Sequence, residues 1–117
     1  MQIYETRQDD VLVVGVQGRL ESAYSAEFEN RLLKLIDGGE RRMCIDCGEL
    51  TYLNSTALRA FLVVAKRMGA VGGKMVISDL CAQTRKVFEV IGFTKIMTLV
   101  STREEGLQHL AGATAVS

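Results

Sequence analysis

The chain has 117 residues, 48% of them hydrophobic, with 14 basic and 14 acidic side chains and a formal net charge of zero. This is the size of one ordinary domain with enough apolar residues for a core. The balanced charge lacks the electrostatic footprint of a nucleic-acid or anionic-membrane binder. No apolar run approaches the ~20 residues of a transmembrane helix. Residues 1–10 lack the basic-then-apolar layout of a secretory signal. The expectation is a single cytoplasmic domain spanning 1–117, with no nucleic-acid and no membrane partner.

Residues 1–6 and 11–17 alternate as strands and are joined by a tight turn at Gln8-Asp9-Asp10, a hairpin whose second strand ends at Gly18. Ser25 reads as an N-cap with Glu27 and Glu29 behind it, and Phe28, Leu32, Leu35 and Ile36 form one apolar stripe. Gly38-Gly39 stops that helix. Residues 42–47 form a short apolar strand, followed by a loop that carries Tyr52, Leu53 and Asn54.

A second helix opens at Ser55 or Thr56 and runs to about Met68, with Leu58, Phe61, Leu62, Ala65 and Met68 facing inward. Gly69, Gly72 and Gly73 end it. Residues 74–78 are again strand-like. Ser78-Asp79 offers a cap for a third helix in which Val87, Phe88 and Ile91 recur at helical spacing, closed by Gly92. Residues 95–100 make the last strand, and Ser101-Thr102-Arg103-Glu104 fits a capping box opening a short helix to about Leu110, with 111–117 as a flexible tail. The order β-β-α-β-α-β-α-β-α predicts an α/β fold. Its mixed sheet has about five strands and about four helices, antiparallel at the hairpin and parallel, with right-handed crossovers, elsewhere.

Chemistry-bearing residues are few. Cys44 and Cys47 form a C-x-x-C spacing, but in a strand, where positions three apart point to opposite faces; they read as buried thiols, with a redox or zinc role as the alternative. The single histidine, His109, lies in the last helix, so no Ser-His-Asp triad is expected. Glu21, Asp46 and Glu49 lack a partner cluster that would assign acid and base roles. Gly69, Gly72 and Gly73 follow a helix and precede a strand, the reverse of a phosphate-binding loop. No enzyme activity, cofactor or metal is expected. What stands out is Ser55, a hydroxyl where an extended segment turns into a helix. There it serves as a cap and as an addressable group at the positive end of a helix dipole.

The segment Leu53-Asn54-Ser55-Thr56-Ala57-Leu58, with the strand Cys44-Ile45-Asp46 before it and Gly18-Arg19-Leu20-Glu21 upstream, resembles the STAS domain of bacterial anti-sigma factor antagonists. That family shows a G-x-L-D turn after its second strand and D-S-[ST]-G-L at the start of its second helix. The resemblance extends to the element order and to Val87-Phe88 and Gly92-Phe93. It implies a single STAS domain in a partner-switching regulator. Ser55 would be phosphorylated by an anti-sigma factor serine kinase and dephosphorylated by a metal-dependent serine phosphatase, with Thr56 as the neighbouring hydroxyl. Asn54 stands where the family has an aspartate, Ala57 where it has a glycine, and Glu21 where it has a first-loop aspartate. The docking surface implied around Ser55 comprises Glu21, Ser22, Tyr24, Tyr52, Leu53, Asn54, Thr56 and Arg59. A STAS scaffold subunit of a transporter or signalling complex, never phosphorylated, is the alternative.

Overall fold

The computed structural model describes residues 1–115. The elements run β1 Gln2–Gln8, β2 Val11–Leu20, α1 Ala23–Asp37, β3 Arg42–Leu53, α2 Ser55–Ala70, β4 Lys74–Ser78, α3 Ala82–Val90, a 3-10 turn Phe93–Lys95, β5 Thr98–Val100 and α4 Arg103–Ala115. The expected element order is present. One five-stranded sheet has the order β1-β2-β3-β4-β5, with β1 antiparallel to β2 and the remaining pairs parallel. Because strand order follows chain order, crossovers of one handedness place α1, α2 and α3 on the same face of the sheet.

The two-residue period of the strands sorts their side chains between two layers. Leu12, Val14, Val16, Met43, Ile45, Cys47, Met75 and Ile77 face the three helices and meet Phe28, Leu32, Ile36, Phe61 and Phe88 there. The alternate residues Val11, Val13, Cys44 and Val76 face α4 and its Leu110. Phe28, Phe61, Phe88 and Phe93 form a chain of ring contacts with centroids 4.9, 5.4 and 5.3 Å apart, joining α1, α2, α3 and the 3-10 turn. On the other face the Arg103 guanidinium donates to Asp46 Oδ2 at 2.8 Å and to the Tyr4 hydroxyl at 3.1 Å, pinning α4 to β3 and β1.

Several boundaries differ from the sequence expectation. β2 does not end at Gly18 but continues to Leu20, and β3 does not end at Cys47 but continues to Leu53; the two extensions pair from Gln17↔Glu49 to Leu20↔Leu53. Register shifts at Gly15/Gln17 and Gly18/Arg19, with Gly18 at φ 90°, mark the bulges that let the strands run on. Helix α1 begins at Ala23, so Ser25 is not its cap; Ser25 is buried in the first turn. Ser78 completes β4, and Cys81, not Ser78 or Asp79, holds the cap position of α3. Phe88 is the buried residue of α3, whereas Val87 and Ile91 are exposed. Leu58 and Leu62 of α2 are partly buried against the core, and its fully buried stripe is Ala57, Ala60, Phe61, Val64, Ala65 and Met68. The last strand is shortened by the 3-10 turn that takes Lys95. The α4 cap is Thr102, whose Oγ1 accepts from Glu105 N at 3.1 Å. Of the segment 111–117, residues up to Ala115 lie in α4 and 116–117 lie outside the described residues.

Gly15 lies opposite Tyr4 in the hairpin register, and a Cβ there would come within 1.9 Å of the Tyr4 ring. Gly15→Ala must therefore move the ring that also receives Arg103. Urea denaturation is expected to show a loss of about 1–3 kcal/mol. An unchanged midpoint would contradict the packing described.

Candidate functional site

The paired carboxyl ends of β2 and β3 deliver two chain segments to one end of the sheet. Leu20 lies opposite Leu53, and Asn54 N donates to Leu20 O at 3.4 Å, so the β2–α1 connection and the start of α2 are neighbours. Glu21 and Tyr52 are brought together through Arg19. Arg19 pairs with Glu21 Oε2 at 2.6 Å and lies 4.1 Å from the centroid of the Tyr52 ring. Ser22 follows at φ 54° without a side-chain capping bond, and Tyr24 is exposed in the first turn of α1.

At the start of α2, Asn54 Oδ1 accepts from Ala57 N at 3.0 Å, so the asparagine is the cap. This corrects the expectation that Ser55 performs that role. Ser55 is the first helical residue, is exposed, and its hydroxyl makes no hydrogen bond within the described chain. Thr56 and Arg59 are exposed on the same helix, while Ala57 is fully buried, so its methyl group points away from Ser55 into the core. No acidic residue occupies the first turn of α2.

Ser55 stands between two grooves. One, of about 340 Å³, runs toward α3 and is lined by Tyr52, Leu53, Asn54, Ser55, Leu58, Cys81, Gln83, Thr84 and Val87, with Thr51 at its end. The other, of about 300 Å³, lies between α1 and α2 and is lined by Ser25, Ala26, Glu29, Asn30, Thr56, Arg59 and Val63. The α3 contribution to the first groove was missed from sequence, because placing the third helix cap at Ser78-Asp79 moved Cys81 and Thr84 into the helix body. The Ser25 hydroxyl in the second groove is buried and unpartnered.

The cysteines separate by environment. Cys44 faces α4 and Cys47 faces the three-helix core, as strand geometry requires. Burial pushes both thiols up, with Asp46 adding to the shift at Cys47 and the Ser78 hydroxyl opposing it at Cys44. A dithiol redox pair needs the reverse. Cys81 is exposed, and its hydrogen bond with Thr84 at 3.2 Å lowers its pKa. His109 is exposed on α4, across the sheet from Ser55. Among the described residues no group of three or more His, Cys, Asp or Glu is clustered as a metal site, and no helix is long and apolar enough to cross a membrane.

The family model described as STAS domain matches residues 2–106. A Bordetella bronchiseptica protein named "Putative anti-sigma factor antagonist BtrV" is 36% identical over 104 residues, covering 89% of this chain and 90% of that protein. An anti-sigma factor antagonist from Mycobacterium paratuberculosis superposes with a TM-score of 0.84 at 19% identity, covering 94% of this chain and 93% of that one. The Bacillus cell fate determinant SpoIIAA in its phosphorylated form superposes with a TM-score of 0.74 at 18% identity, covering 92% and 98%.

Two measurements check the site. Asn54→Ala is expected to cost about 1 kcal/mol, whereas Ser55→Ala changes stability by less than about 0.5 kcal/mol; the reverse ranking would restore Ser55 as the cap. In native protein an aromatic disulfide reagent is expected to titrate one thiol, lost in Cys81→Ser, with Cys44 and Cys47 reacting only on unfolding. Rapid reaction at Cys44 or Cys47 would revive a redox role.

Proposed function

The chain belongs to the STAS domain family, and on that premise we propose that it is an anti-sigma factor antagonist governed by phosphorylation of Ser55. The unphosphorylated form binds a cognate anti-sigma factor serine kinase and releases its sigma factor or other client. The phosphorylated form does not bind, and a serine phosphatase restores the binding state. The 36% identity to the Bordetella protein, over nearly the full length of both chains, supports the antagonist assignment.

The observation that carries the switch is the division of labour between Asn54 and Ser55. With the capping bond made by Asn54, the exposed Ser55 hydroxyl can be esterified without removing any hydrogen bond from the fold. A phosphate adds about 1.5 to 2 negative charges, and the amino end of α2 favours an anion by roughly 0.3–1 kcal/mol. The domain therefore stays folded while its surface gains a concentrated negative charge. Like-charge juxtaposition across an interface costs several kcal/mol, and about 1.4 kcal/mol is a tenfold change in affinity, so a loss of about a hundredfold follows. The binding surface comprises the two grooves and their rim: Glu21, Ser22, Tyr24, Tyr52, Leu53, Asn54, Thr56 and Arg59.

Incubation with candidate anti-sigma factor kinases and ATP is expected to add one phosphate, mapped to Ser55 and absent in Ser55→Ala. Ser55→Asp is expected to weaken kinase binding about tenfold or more while the melting temperature moves by no more than about 3 °C. Phosphate at another residue would refute the acceptor assignment. A chain that is never modified yet copurifies with a larger assembly would replace the switch with a permanent scaffold subunit.

A further inference from the structure

Arginine is the side chain best matched to a phosphate, because its planar fork donates two parallel hydrogen bonds. Among the described residues, seven arginines pair with carboxylates. Arg41 donates to the carbonyls of Ile36 and Glu40. Arg59 alone makes neither an ion pair nor a side-chain hydrogen bond, and it is exposed. It sits four residues after Ser55 on α2.

That spacing has a directional consequence. Residues at i and i+4 of a helix have Cβ atoms about 5–6 Å apart, and helical side chains lean toward the amino terminus, so the turn that begins with Ser55 is within reach of the Arg59 side chain. An anion preceding a cation by four residues is also the favoured order on a helix. Other charges around the start of α2 do not fill this role. Arg19 and Glu21 are already paired with each other, and Arg59 is the only cation lining either groove. Glu29 of α1 shares the second groove with Arg59 but forms no ion pair with it. The exposed Cys81 thiol lines the first groove, on the α3 side.

We propose that Arg59 is the built-in counter-charge for a phosphate on Ser55, folding back one helical turn to hold it. The inference rests on Ser55 being the acceptor and adds a second action to the switch. In the unmodified chain Arg59 projects toward the partner and offers a cation to an acidic group. Once the phosphate is present, the same guanidinium is retained within the chain, so the partner loses a counter-charge as it meets an anion.

The test installs the phosphate without a kinase, by co-translational incorporation of phosphoserine at position 55, in the full chain with Arg59 and in Arg59→Gln. Phosphorus NMR then follows the second ionisation, ordinarily near pH 6. A neighbouring cation favours the dianion, so the midpoint is expected to be lower with Arg59 than in Arg59→Gln by about 0.3 unit or more. The helix terminus acts equally on both proteins, and a merely structural Arg59 would not move this midpoint. A smaller difference overturns the role of Arg59 and leaves the acceptor assignment standing. A kinase that ignores Ser55 overturns the proposed function and leaves this titration interpretable.

Discussion

The contact chain of Phe28, Phe61, Phe88 and Phe93 is the constraint on which the arrangement of the site depends. These are all four phenylalanines of the chain, each from a different element, and their tilted and edge-on contacts fix three helices to one face of the sheet. Phe61 joins the rings of α1 and α3, and its burial sets the rotation of α2. With Ala57, Ala60, Phe61, Val64, Ala65 and Met68 turned inward, the helical period leaves Ser55, Thr56 and Arg59 on the outer arc. The exposure of the Ser55 hydroxyl is thus a consequence of core packing one and a half turns away.

Asn54 sets the chemistry at that exposed position. An aspartate, which the family pattern has there, would make the same capping bond but place a fixed negative charge beside the serine. The neutral amide accepts from Ala57 N and leaves the first turn of α2 without an acid. On the proposed switch, a phosphate at Ser55 would add about 1.5 to 2 negative charges to a helix start that has no acid of its own, a larger relative change than where a carboxylate already stands. Ala57 in place of the family's glycine does not crowd the hydroxyl, because its methyl group is fully buried on the other side of the helix.

Most of the architecture was legible because hydrophobic period changes cleanly along the chain. The stripe Phe28, Leu32, Leu35, Ile36 and the strands at 11–17 and 74–78 needed no tertiary information. Failures occurred where tertiary pairing overrode local signals. Residues 48–53 contain Gly48, Glu49 and Thr51 and read as a loop, yet the parallel partner β2 holds them in the sheet across two bulges. Ser25 has the composition of a cap, but the helix starts earlier and buries it. Several of Ser, Thr, Asn and Asp stand together at each helix start, and composition cannot rank adjacent capping candidates. That ambiguity concealed the distinct roles of Asn54 and Ser55, and it moved the α3 start away from Cys81.

The extension of β3 also determines how rigidly the serine is presented. Asp46, midway along that strand, has a largely buried carboxylate that binds Arg103 of α4 through Oδ2 and accepts Gly48 N at 2.9 Å through Oδ1. Partial burial makes such a pair count for more than the exposed ion pairs elsewhere on the surface. Gly106 lies where any Cβ would come within 2.9 Å of Cys44 Sγ, so α4 sits directly on β3. The strand is therefore clamped between α4 on one side and the phenylalanine-linked helices on the other. Beyond Cys47 the strand is largely exposed and is held by its pairing with β2 as far as Leu53, so it enters Asn54 without an intervening loop. A serine mounted at the carboxyl end of an interior strand in this way presents a pre-set surface, and on the proposed switch a phosphate there would act through charge at one position, with no rearrangement of the fold needed.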